Sequence, residues 1–138
     1  MSARTGEPRG SVAFGGRRVS AQRLAIARVV DRGTGAFSAA DLTNQVRRDV
    51  PSVGPATVYR AVAAMEESGF IEKVGTRDGS ALYARCRHVG HHHHAVCTRC
   101  GAVADAGCPI DVDAIDVGGF AISSHSLILY GLCAACRR

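Results

Sequence analysis

The chain has 138 residues, enough for one or two small domains. Hydrophobic residues make up 46% and charged residues 21%, a globular balance that excludes wholesale disorder. The formal net charge is +5 and it is uneven: residues 1–85 hold 13 Lys and Arg against 8 Asp and Glu, whereas residues 86–138 hold 4 of each. All six cysteines and all six histidines lie in that neutral second part. A basic first part suits nucleic acid or another acidic partner, and equally suits plain solubility. Trp is absent and aromatics are 5%, so the core must be built from Val, Ile, Leu and Ala. Residues 1–19 lack the apolar stretch of a signal peptide, and no run approaches the roughly 20 apolar residues of a membrane helix. The expectation is therefore a cytoplasmic protein whose cysteines act as thiolates rather than disulfides.

Residues 1–16 carry several glycines, Pro8 and Arg9 with little periodicity, and are expected to form a mobile basic arm. A domain over 17–85 follows. Ser20 is a good N-cap, Leu24, Ala27 and Val30 recur at helical spacing, and Gly33 is a stop, which predicts a first helix. Ser38 and Asp41 form a capping box for a second helix, which ends before Pro51. Gly54 and Pro55 open a third, with Val58, Val62 and Met65 on its apolar side and Gly69 as its C-terminal cap. The other face carries Thr57, Tyr59, Arg60 and Ala63. Two short strand-like runs, Ile71 to Val74 and Ala81 to Ala84, flank the hairpin signal Asp78-Gly79. Three helices and a hairpin predict a winged helix-turn-helix, with a generic small helical domain as the plain alternative.

After a hinge at 86–90, the segment 91–138 changes character. His91 to Thr98, Gly119 to Ile122 and Ser124 to Tyr130 are strand-like, and 107–118 is expected to be a loop. Cys97-x-x-Cys100 and Cys133-x-x-Cys136 offer four soft donors, the set a structural tetrahedral zinc requires, and Gly101 lets the first knuckle close. Two disulfides or a dithiol redox pair are the alternatives. A saturated Cys₄ site leaves no open position for catalysis, and no enzyme signature is present, so a zinc or thiol enzyme is a distant alternative.

The run His91-His92-His93-His94 leads directly into Ala95 and Val96. On a strand its side chains alternate, so it can feed two separate sites. Glu72, Cys86, His92 and His94 would make one. His91, His93 and His125 with Asp111, or Asp113 in reserve, would make the other. His88 and Cys108 have no assigned role; Cys108 is expected to be a free or buried thiol.

Taken together, Gly54-Pro-Ala-Thr-Val-Tyr-Arg60, the block HHHHAVCTRC over 91–100, Gly119-Phe-Ala-Ile-Ser-Ser-His125 and Leu129-Tyr130-Gly131 through Cys133 resemble the Fur family of metal-responsive bacterial repressors. The resemblance covers roughly residues 17–136. It implies an α+β protein: an N-terminal winged helix-turn-helix domain followed by a small α/β dimerisation domain with a Cys₄ zinc site. It implies a homodimer on double-stranded operator DNA, with no membrane and no small-molecule substrate, that is not an enzyme. Tyr59 and Arg60 match the family's base- and backbone-contacting pair, with Thr57 nearby; Arg17, Arg18 and Arg23 match groups near phosphate or the minor groove.

Cys86 and Glu72 resemble the sensing ligands of the zinc-responsive branch, whereas Ala36 stands where iron- and peroxide-sensing members have a histidine. The resemblance thus implies about two to three zinc ions per subunit, structural and regulatory, and control of metal uptake genes. Iron-, nickel- or peroxide-responsive regulators are the alternatives within the family. The loop 107–118 is shorter than the family's usual segment, so the register of the third-site carboxylate is blurred there.

Overall fold

The computed structural model describes residues 12–16, 18–88 and 90–138. Most of the expected arm and Arg17 lie outside the described residues. The chain forms two compact units, residues 1–87 and 88–138.

The first unit is built on three helices. Helix α1 (Ala21–Arg32) begins where Ser20 Oγ accepts from the Arg23 N–H, and Gly33 ends it by donating to the Val29 and Val30 carbonyls. Helix α2 (Ala39–Val46) has the full capping box: Asp41 N–H donates to Ser38 Oγ, and Ser38 N–H donates to the Asp41 carboxylate. Helix α3 (Pro55–Glu67) starts with Pro55 in its first turn. It closes with two backbone bonds, Gly69 N–H to the Glu66 carbonyl and Phe70 N–H to the Met65 carbonyl, the paired pattern of a Schellman cap. Ile26, Val30, Leu42, Val46, Val58, Val62 and Met65 form one buried core shared by the three helices. Strands β1 (Ile71–Arg77) and β2 (Ser80–Arg85) pair antiparallel. Asp78 (φ 51) and Gly79 (φ 79) both take left-handed backbone at the turn, as a tight type I′ hairpin demands. Phe37 and Tyr83 exchange backbone bonds of 2.9 and 2.8 Å, a third edge on this hairpin that the sequence pattern did not announce.

The second unit is a three-stranded sheet in which β3 (His93–Cys97) lies between β4 (Val103–Ala106) and β5 (Ile128–Gly131). Strand β3 pairs antiparallel with β4 and parallel with β5. A short 3₁₀ turn covers Val112–Ala114. The sheet departs from the sequence expectation in three ways. Gly119 to Ile122 is irregular, β5 begins four residues after Ser124, and β4 was not anticipated. Ala-rich β4 is too short and too weakly apolar to show period-2 alternation; tertiary pairing with β3 makes it a strand. Among the described residues, no helix is long and apolar enough to cross a membrane.

Candidate metal centres

The parallel pairing of β3 and β5 sets Cys97 opposite Gly131, so the second C-x-x-C turn follows directly beside the first. Gly101 N–H donates to the Cys97 carbonyl (2.9 Å), and Gly101 adopts φ 74, left-handed backbone that favours glycine and closes the knuckle. Cys100 Sγ and Cys133 Sγ are 3.7 Å apart. Sulfurs at tetrahedral corners with Zn–S bonds of about 2.3 Å stand about 3.8 Å apart, so this spacing fits zinc. All four sulfurs lie within 4.8 Å of one another, and none of the six cysteines is in a disulfide.

The four thiols are not electrostatically equal. The Cys97 thiol is drawn down to about 6, first by the Cys100 backbone N–H and then by that of Cys133. Cys136 is pushed up to about 12, first by its hydrogen bond with the Cys133 thiol and then by that with Cys100. Backbone N–H groups stabilise an anion, whereas crowded sulfurs resist a second one. A bound dication would accept all four as thiolates, the chemistry this donor set suits.

The expected sensing ligands divide between the two units. In the first, Glu72 on β1 and Cys86 just past β2 come together, with Cys86 Sγ 4.0 Å from Glu72 Oε2. The Ile71↔Arg85 register of the hairpin produces this neighbourhood. In the second, the His92 and His94 rings meet edge to face at 5.0 Å. His92 Nδ1 contacts the Gly90 carbonyl at 2.9 Å, while its Nε2 is shielded from solvent and has no hydrogen-bond partner among the described residues. His94 is 1% exposed, and an oxygen of Asp105 lies 3.1 Å from its Nδ1. The β3–β4 register places Asp105 directly opposite His94, and the same carboxylate reaches His88 Nε2 at 3.1 Å. A carboxylate behind a histidine fixes its ring, a common support for a metal ligand. Asp105 and its contact with His88 leave no mark in the sequence pattern because β4 leaves none.

On the opposite face, His91, His93 and His125 converge as expected. His125 Nε2 stands 2.8 Å from His91 Nε2 and 3.2 Å from His93 Nε2. The expected aspartates are not what completes the group. The Asp111 carboxylate accepts from the Asp113 backbone N–H (3.1 Å) and caps the 3₁₀ turn. Cys108 fills the fourth corner, its Sγ 3.0 Å from His125 Nε2, and the four donor atoms lie within 4.8 Å of one another. The end of β4 brings it near: His93 pairs with Ala106, the last residue of that strand, and Cys108 follows two residues later.

The expected nucleic-acid residues sit on the first unit. On α3 the buried side is Val58, Ala61, Val62 and Met65, so Tyr59 and Arg60 fall on the outer side and the half-buried Thr57 at its edge. Tyr59 is 58% exposed and Arg60 is exposed. The Arg23 guanidinium lies 5.5 Å from the centre of the Phe14 ring, and Arg18 is exposed.

The sequence model of the Ferric uptake regulator family matches residues 15–130. The chain is 34% identical over 126 residues to the zinc uptake regulation protein of Mycobacterium tuberculosis, covering 88% of this chain and 96% of that one. It is 35% identical over 128 residues to the zinc uptake regulation protein of Escherichia coli, covering 86% and 72%. Among solved structures, it superposes on a zinc uptake regulator complexed with zinc and DNA with a TM-score of 0.66, at 32% identity, covering 87% of this chain and 83% of that one.

Proposed function

The chain belongs to the Ferric uptake regulator family of metal-responsive transcriptional regulators, and we propose that within it this protein is a zinc-dependent repressor that binds operator DNA as a homodimer and controls zinc uptake genes. The observation that carries the choice of zinc is the thiol of Cys86 beside Glu72. A thiolate in a sensing site favours zinc over ferrous or manganous ion. The zinc uptake regulation proteins of Mycobacterium tuberculosis and Escherichia coli, each about a third identical, support the same choice.

Cys97, Cys100, Cys133 and Cys136 would hold the structural zinc. Glu72, Cys86, His92 and His94 would hold the sensed one. Zinc supplies strong bonds to these residues without redox chemistry of its own. Glu72 sits on the wing and Cys86 at its end; His92 and His94 lead into the sheet of the second unit. Ligands drawn from both units let metal occupancy bias the spacing of two reading heads in a dimer. Thr57, Tyr59 and Arg60 would meet the DNA from α3, with Arg17, Arg18 and Arg23 near phosphate or the minor groove. The exposed Leu129 and Tyr130 of β5, with Leu132 just past it, offer apolar surface for a second copy. Turning a mostly open population into a mostly closed one requires about 5.5 kcal/mol of differential binding, and four ligands with two acidic groups are suited to it.

The test is a mobility shift of DNA from upstream of the protein's own gene, titrated with Zn²⁺, Fe²⁺, Ni²⁺ and Mn²⁺. Binding at the lowest free zinc supports the reading, with Cys86→Ser removing the response while leaving a folded dimer. A shift driven by Fe²⁺ in preference to Zn²⁺ makes it an iron regulator instead.

A further inference from the structure

The donor group around His125 differs from the carboxylate-containing set that the sequence led us to expect. Three groups face one ring nitrogen: His91 Nε2 at 2.8 Å, His93 Nε2 at 3.2 Å and Cys108 Sγ at 3.0 Å from His125 Nε2. One imidazole nitrogen has either one proton or one lone pair, so it serves one such neighbour well and not three. Donors crowd this way when they share a cation instead. Around tetrahedral zinc, nitrogens stand about 3.3 Å apart and nitrogen and sulfur about 3.6 Å apart, so a small outward movement suffices.

We propose that Cys108, rather than Asp111 or Asp113, is the fourth ligand of a metal site with His91, His93 and His125, a thiolate site of three nitrogens and one sulfur that takes zinc or another thiophilic divalent cation. All four residues belong to the second unit, so the site goes beyond the sensing function and does not depend on it. Sulfur among three imidazoles disfavours manganese and magnesium, which prefer oxygen. Binding exchanges the Cys108 thiol proton for a metal–sulfur bond and releases that proton to solvent. Asp111 is already engaged in capping the 3₁₀ turn. His93 is the weakest of the four. The Leu127 N–H donates to its Nδ1 at 3.2 Å, so the neutral ring carries its proton on Nε2. Coordination there requires that proton to move and Leu127 to turn away. Metal at this site would tether the segment around Cys108, which is partly exposed, to the start of β3.

The experiment is residue-resolved alkylation of the intact protein with iodoacetamide, read by peptide mass spectrometry with zinc present and with the weakly held zinc chelated. Zinc slows alkylation at Cys108 several-fold or more. His125→Ala removes that protection while protection at Cys86 persists; Asp111→Asn leaves both. Equal Cys108 rates with and without zinc, or loss of Cys108 protection in Asp111→Asn, overturn the proposal. Protection at Cys108 with none at Cys86 would instead sink the sensing assignment and leave this site standing. As a second reading, Cys86→Ser protein that retains its structural zinc is titrated with Co²⁺. A thiolate-to-cobalt charge-transfer band appears and is lost when Cys108→Ser is added; its persistence in that double variant counts against Cys108 as ligand.

Discussion

The helical unit and the sheet unit bury different chemistry. In the first, the fully buried large side chains among the described residues are Ile26, Leu42, Met65, Ile71, Val46, Val53, Val58 and Val74. In the second, the buried side chains among the described residues are His93, His94, Val96 and Cys97. An apolar core stabilises by leaving water, and it does so with no other component. A core of donors gains nothing from leaving water unless something satisfies the donors. The first unit can therefore hold its shape alone, while the second is expected to draw its stability from metal and from a partner over its exposed apolar side chains, Phe120 and Tyr130 among them.

The largest test of this contrast is removal of the structural zinc. Structural zinc in small domains carries on the order of 10–16 kcal/mol of apparent binding free energy, most of which is folding energy. Cys97→Ser, or strong chelation of the wild type, is expected to unfold the sheet unit and to leave the helical unit folded. Nuclear magnetic resonance separates the two: amide dispersion for residues 18–87 should survive and that for 93–131 should collapse. Retention of both sets after zinc loss would show that the sheet unit has a sufficient core of its own.

The complementary variant attacks the apolar core. Met65→Ala removes a fully buried side chain from α3 and is expected to destabilise the helical unit by about 2–5 kcal/mol. Denaturant unfolding measures the loss, and zinc content should be unchanged. A smaller effect falls on Asp105, whose carboxylate lies beside both His94 and His88. Asp105→Asn is expected to weaken zinc at the His94 site by about 10–100-fold, read by competition with a chelating dye, with the Cys₄ zinc retained.

The same contrast explains what could be read in the sequence. Helix caps, the turn Asp78-Gly79 and the apolar stripe of α3 are local signals, and the helical unit is a sum of such signals. The Cys₄ spacing was legible because each C-x-x-C is local as well. The place of Asp105 opposite His94 was hidden because it depends on β4, which exists only by pairing with β3, and that of Cys108 because it follows β4 in an irregular segment. Short Ala-rich strands carry no period of their own, and Gly119 to Ile122, which has one, is irregular. Where stability comes from ligands and pairing, pattern alone does not locate the partners.

The smallest effect concerns the capping box at the start of α2, where the helical unit does use a charge. Ser38 N–H donates to the Asp41 carboxylate at 2.9 Å, and Arg77 reaches the same oxygen at 2.6 Å. The Ser38 backbone bond chiefly holds the Asp41 carboxyl below its ordinary range; burial opposes it, and the Ser38 hydroxyl and Arg77 add to the lowering. A depressed folded pKa means that the unfolded chain binds this proton more readily. The stabilisation is therefore complete above the unfolded value of about 3.9 and fades as pH falls through the lower folded value. Ser38→Ala removes the hydroxyl cap, at about 1 kcal/mol. Asp41→Asn keeps the shape and discards the charge, so its stability deficit relative to the wild type should narrow as pH falls through the Asp41 titration. Denaturant midpoints of the helical unit across acidic pH check this. A deficit that stays constant over the range would mean that Asp41 acts through shape alone and that the first unit owes nothing to this ionisation.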